Sequence, residues 1–321
     1  MKRLILALAA ALLLAAPALA QYPDKPVKLV VPYPPGGQFD IHARILADKA
    51  SPRLGQRIVI ENKPGAATML GAEYVAGQKP DGYTLLWAGA NMFTIAPHVY
   101  KEVRYKQSDF QTITLVNDLP MGFEVNAAKL GVTDFKTFVA YAKANKGKIS
   151  YGVSGTGGLQ HLMCELINMQ LGLDMFHVAY KGTPEVIQDL RAGEIQAACD
   201  GMTAYLPLHR DAAGTVRILA QTAGTRAEAA ADVPTFRELG YPDLTFATWG
   251  GIVAPAGTPK DALDKLGAAF TAANQDPEVA ALVVKGAAIP RTSTPAEFDA
   301  VIKADYERWG AVVRKLGLKL D

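Results

Sequence analysis

The stretch Val27-Lys28-Leu29-Val30-Val31-Pro32-Tyr33-Pro34-Pro35-Gly36-Gly37-Gln38-Phe39-Asp40 decides the fold class. A β-branched run reads as a strand, and a proline-stiffened glycine turn follows it. From there an amphipathic pattern opens a helix. The same order recurs along the chain: short apolar runs at 27–33, 57–61, 83–87, 112–116, 149–153, 176–179, 195–199, 216–221 and 246–253 alternate with helical stretches. That alternation predicts an α/β fold with mostly parallel sheet covered by helices. Thr183-Pro184 predicts a helix start with Thr183 as its cap, closed by Gly193, and Thr294-Pro295-Ala296-Glu297 adds a capping-box glutamate to the same kind of start. Pro52 predicts an end or kink near Ala50 in the helix that begins at Phe39.

A second glycine turn, Tyr151-Gly152-Val153-Ser154-Gly155-Thr156-Gly157-Gly158, again lies between a strand and a helix. Ser154 or Thr156 can cap that helix while neighbouring amides face a ligand. Free N–H groups and the positive end of a helix dipole make an anion site without a cationic side chain. Each turn also has a plainer reading as an ordinary strand-to-helix connection. The spacing of the second turn departs from a dinucleotide fingerprint, and Thr156 stands where a Gly-x-Ser-x-Gly nucleophile elbow needs glycine. A secreted serine hydrolase using Ser154 is nevertheless the rival from another class. His161 and Glu165 share a helix face, but two ligands do not make a metal centre. His42, His98, His177 and His209 stand apart and read as structural or surface residues.

Residues 1–20 carry Lys2 and Arg3, an apolar run from Leu4 to Ala16 and the small-residue end Ala18-Leu19-Ala20, the pattern of a cleaved secretory signal peptide. The expected location is the periplasm, without a membrane anchor, since the apolar run is shorter than a bilayer span and the nearest cysteine to the expected cut is Cys164. Without Lys2 and Arg3 the chain has 31 basic and 31 acidic residues. That balance offers no basic face for nucleic acid. Some 300 residues, half of them hydrophobic, favour two domains. With no linker between them, the expected division is an entwined one: 21–121 and 223–321 as one lobe, 122–222 as an inserted lobe, and a hinge at the two crossings. Cys164 and Cys199 can pair in an oxidising compartment or remain two buried thiols, and sequence leaves both readings open.

The chain resembles the Bug-type periplasmic solute receptors of tripartite tricarboxylate transporters over nearly its whole mature length. The resemblance is carried by YPDKPVKLVVPYPPGGQFDIHAR, GQRIVIENKPGAATMLGAEYVAGQKPDGYTLL, YGVSGTGGLQHLMCEL, HVAYKGTPEVIQDLRAGEIQAACDG and DVPTFRELGYPDLTFATWGGIVAPAGTP. It implies a type II periplasmic-binding-protein fold, two α/β lobes closing on a small mono- or dicarboxylate, no catalysis, no cofactor and no metal. It implies that Pro35, Gly36, Gly37, Gln38, Phe39 and Asp40, facing Ser154, Gly155, Thr156 and Gly157, hold a carboxylate largely through amides and bridging water. It further implies wall residues Ala88, Gly89, Ala90 and Asn91 from a loop after the third strand, and Tyr180, Lys181, Gly182, Asp200 and Gly201 from the inserted lobe. Tyr33 and His161, beside the two turns, complete the candidate site. Gln38-Phe39 departs from the smaller polar residues common there and makes an aromatic carboxylate conceivable. The implied partners are integral membrane transporter subunits, with the receptor itself a monomer; a sensor reporting to a signalling kinase is the alternative within the same fold.

Overall fold

The computed structural model describes residues 22–36, 38–153 and 156–320. The elements, in chain order, are β1 (Val27–Val31), α1 (Gln38–Leu54), β2 (Ile58–Asn62), α2 (Met69–Ala76), β3 (Thr84–Gly89), α3 (Ala90–Thr94), α4 (Ala96–Val99), β4 (Phe110–Leu119), β5 (Met121–Asn126), α5 (Ala127–Leu130), α6 (Phe135–Ala144), β6 (Ile149–Val153), α7 (Leu159–Leu171), β7 (Met175–Ala179), α8 (Thr183–Ala192), β8 (Ala197–Gly201), α9 (Met202–His209), β9 (Val216–Gln221), β10 (Thr248–Pro255), α10 (Lys260–Asn274), α11 (Pro277–Lys285), β11 (Ile289–Pro290) and α12 (Pro295–Leu316).

They form two sheets, one in the order β11-β4-β10-β3-β1-β2 and one in the order β7-β6-β8-β5-β9. β1 is parallel to β2 and β3, while β10 runs antiparallel between β3 and β4. Side chains alternate along β1. Leu29 and Val31 enter a core with Leu46, Trp87 and Phe270, whereas Val30 joins Leu86, Phe93 and Phe298 on the opposite face. Burial on both faces is why Leu29, Val30 and Val31 read as one unbroken apolar run. In the second sheet, Phe123, Phe135, Phe138 and Tyr151 pack on one face, and Val186, Leu190, Tyr205 and Ile218 on the other.

The chain passes from the first sheet to the second through Pro120, the single residue between β4 and β5, and returns between β9 and β10. On the return, Phe236, Leu244 and Phe246 still pack with Phe123. Helix α12 serves both sides: Phe298 and Ile302 belong to the core beneath β10, and Trp309, Val312 and Val313 to the core beneath β6.

The capping box at Thr294 and Glu297 forms as its residues dictate. Three local expectations are corrected. Helix α1 runs through Pro52 to Leu54 rather than ending near Ala50, the proline forgoing one bond of the ladder close to the helix end. The cap of α8 is Gly182, and Thr183 is its first helical residue, its hydroxyl turned to Asp200. The cap of α7 is Gly158, with no side chain bonded to it. Strand β5 was not anticipated, since Gly122 and Glu124 break its apolar pattern; all six of its residues are nevertheless buried.

Candidate functional site

The first glycine turn is held from behind by Asp40. Gly36 sits at φ +80°, a backbone state that glycine adopts without strain, and its N–H donates to Asp40 Oδ2 at 2.8 Å. The same carboxylate accepts from Arg44 Nε at 2.9 Å, Arg44 Nη2 at 3.0 Å and Asn62 Nδ2 at 2.8 Å. Asn62 also donates to the Tyr33 carbonyl at 3.1 Å. Burial pushes the Asp40 carboxyl up, but the bonds from Arg44, Gly36 and Asn62 outweigh it and hold its pKa below the ordinary 3.8. Asp40 is therefore a fully used anion that shapes the turn; its charge is matched by Arg44 before any ligand arrives. The Tyr33 and Phe39 rings meet at a tilt with centroids 4.4 Å apart, and Phe39 lies 6.1 Å from Trp87. The Tyr33 hydroxyl rests against Gly89, where a Cβ would come within 2.4 Å of it. Phe39 is thus joined to the aromatic packing of its own lobe.

In the second lobe Gly157, at φ +81°, donates its N–H to His161 Nδ1 at 3.1 Å. A Cβ there would meet Leu320, Val99 and Leu318 at 2.8–3.3 Å. His161 is buried, its ring 4.4 Å from that of His177, and burial, with His177 adding to it, lowers its pKa to about 4. The neutral imidazole accepts from Gly157 and steadies the turn. Asp200, 6% exposed, gathers three helix starts: it accepts from Thr183 Oγ1 at 2.7 Å, Gln160 Nε2 at 3.4 Å and Gly201 N at 2.8 Å. Thr156, Gly182 and Gly201 lie on the segments leading into these helices. Tyr180 donates to Asp189 at 2.8 Å, and Lys181 is exposed.

Gly37, Ser154 and Gly155 lie outside the described residues. The expected wall loop 88–91 is not a loop: β3 runs to Gly89, extended at φ −121°, and α3 starts at Ala90. Ala88 and Ala90 are buried in the core. Glu165 is engaged by the hydroxyl of Tyr151, and no group of three or more His, Cys, Asp or Glu suited to a metal occurs among the described residues. Sequence reasoning missed Arg44, Asn62, Gln160 and Thr183. Only Arg44, one helical turn after Asp40, had a local signal.

It also missed Glu124. Its carboxyl lies in the space a Gly122 side chain would fill, with Oε2 accepting from Asp200 N at 3.2 Å and Oε1 buried without a hydrogen-bond partner. The Tyr205 hydroxyl nearby is likewise buried and unpartnered. Burial first, then Asp200, pushes Glu124 well above its ordinary 4.5. An acid whose folded pKa is raised costs stability above that value and costs nothing below the unfolded value. We expect Glu124→Gln to melt above the wild type at pH 8, with the two curves converging towards pH 4.5; a buried group of this kind costs about 1–3 kcal/mol. Parallel thermal melts across that range check it, and a constant offset would contradict it.

Cys164 of α7 and Cys199 of β8 are joined by a disulfide, S–S 2.00 Å and Cα–Cα 5.8 Å, so the bridged reading holds. No helix among the described residues is long and apolar enough to cross a membrane.

Comparison with known proteins agrees with this architecture. The family model described as Tripartite tricarboxylate transporter family receptor matches residues 42–318. Protein BugT of Bordetella pertussis is 32% identical over 310 residues, covering 96% of this chain and 94% of the relative. The structure of R. palustris Rpa4515 with adipate superposes with a TM-score of 0.78 at 30% identity, over 93% of this chain and 100% of that one. MatC from Rhodopseudomonas palustris with bound malate gives 0.72 at 28% identity, over 91% and 100%. The fold is the two-lobed α/β fold of periplasmic binding proteins, and the serine-hydrolase reading of Ser154 falls, because the family consists of substrate-binding receptors rather than enzymes. The chain belongs to the receptor family of the tripartite tricarboxylate transporters, the periplasmic solute-binding proteins of that system.

Proposed function

We propose that the protein captures a small mono- or dicarboxylate in the periplasm by closing its two lobes, then delivers it unaltered to membrane subunits of a tripartite tricarboxylate transporter. The observation that carries this is the internal bracing of both glycine turns, Gly36 by Asp40 and Gly157 by His161. Each brace sits within its own lobe and leaves the anion to be met by amides and hydroxyls, as the sequence of Gly37 and Ser154-Gly155 suits. Ile41 and His42 of α1 share a cavity with Thr203 of α9, which supports a cleft between the helix starts of the two lobes. The relatives with adipate and malate support the ligand class. A secretory leader at 1–20 and a lobe division at 21–121, 122–222 and 223–321 belong to the same reading; the packing of Phe236, Leu244 and Phe246 with Phe123 favours carrying the inserted lobe past residue 246. Ligand touching both lobes favours the shut form, which the transporter selects.

A thermal-shift screen against organic acids tests the capture step. An acid present at 100 times its Kd stabilises by about 2.7 kcal/mol, a rise in Tm of roughly 5–10 °C. If malate, adipate, citrate, glutamate, nicotinate and phthalate all leave Tm unmoved, the carboxylate assignment is wrong.

A further inference from the structure

Along the first two turns of α1, which follow the first glycine turn, lies a cavity of about 310 Å³ lined by none of the described residues of either turn. This is within the size range of small-molecule sites. Its walls come from both lobes: Ile41 and His42 from the first two turns of α1, Thr203 from the start of α9, and Leu282, Val283 and Lys285 from α11. The lobes meet at its edge, where Thr203 Oγ1 donates to the Gly286 carbonyl. Ile41, Leu282, Val283 and Ala288 supply its aliphatic surface, and His42, Asn117, Thr203 and Lys285 its polar groups. Ile41 is 46% exposed, a large apolar side chain facing solvent one residue after Asp40. His42 accepts from Asn117 at Nδ1, and burial lowers its pKa to about 4, so this wall carries no charge at neutral pH. Lys285, itself exposed, is the cation among these residues.

We infer that this cavity is the subsite for the apolar part of the bound acid, with Ile41 as the residue that reads chain length. An acid anchored by one carboxylate at the first turn directs its chain past Ile41 towards Leu282 and Val283, and a second carboxylate at the far end reaches Lys285. This rests on the carboxylate reading above and adds the part of the ligand that turns alone do not recognise. Each methylene moved from water into such a site tightens binding roughly fourfold.

Calorimetric titration of the receptor with succinate, adipate and suberate tests it. The expected Kd falls along the series, by between tenfold and about two-hundredfold from succinate to suberate. In Ile41→Asp the succinate-to-suberate ratio collapses towards one. Ile41→Ala, which only shortens an exposed side chain, reduces the ratio and guards against a folding defect in the charged variant. Equal affinity across the series overturns the subsite while leaving carboxylate capture standing. A chain-length gain that survives in both variants also overturns it, because the apolar part then lies elsewhere. If none of the three acids binds, the subsite falls, and carboxylate capture is decided by the wider thermal-shift screen.

Discussion

The double variant Cys164→Ser, Cys199→Ser is expected to lose about 3–4 kcal/mol of stability. The bridge spans a sequence separation of 35 residues, and closing a loop of that size in the unfolded chain accounts for a loss of this size. Both sulfurs sit on fully buried residues, so the replacing hydroxyls also lack water. Because the bridge ties α7 to β8 within the second lobe, hydrogen exchange should quicken in β5, β6 and β8 and leave β1 and β3 protected. Binding should weaken as well: α7 follows the second glycine turn, and Cys199 immediately precedes Asp200. Denaturant melts and exchange measurements decide this. A variant within about 1 kcal/mol of the wild type would show that the surrounding packing, not the cystine, holds the lobe together.

The second large effect is expected at Asp40. Asp40→Ala removes the acceptor for Gly36, Asn62 and Arg44 together. Hydrogen bonds to a charged acceptor contribute about 1.5–3 kcal/mol each, and Gly36 and Asn62 make theirs part-buried. Arg44 is half exposed and regains water, so the net loss should be about 2–4 kcal/mol, with carboxylate affinity down tenfold or more as the turn loses its brace. The pH dependence has a definite sign. The folded-state pKa lies below the ordinary value, so the stabilisation is complete above the unfolded pKa near 4 and is lost as pH falls through the lower folded value. The gap between wild type and Asp40→Asn should narrow only under strongly acid conditions. Normal acid binding by Asp40→Ala would reassign the turn to packing alone.

These two sites also separate what is local from what is not. Strand–turn–helix order around Gly36 and Gly157 was legible because it depends on residues within a few positions of one another: β-branched runs, prolines before the glycines, and the Thr294–Glu297 capping box. The helix through Pro52 was misjudged because local signals mark boundaries weakly, whereas the loop at 88–91 was carried over from the resemblance and is absent because β3 runs directly into α3. Strand β5 was hidden by Glu124, whose burial depends on Gly122 and on the neighbouring β8 strand.

The sequence by itself determined the alternation of strands and helices, a net charge of only +2, the two glycine turns and, through its ordered motifs, the receptor family. Only the tertiary structure decided how these side chains are spent: Asp40 on Gly36, Arg44 and Asn62, Asp200 on three helix starts, Cys164 on Cys199, and Ile41 on none of the core. Backbone preference is set by neighbours along the chain. Desolvation, hydrogen bonding and disulfide formation are set by distance in space, and Asp40 and Asn62, or Gln160 and Asp200, become neighbours only when parallel strands bring their ends together.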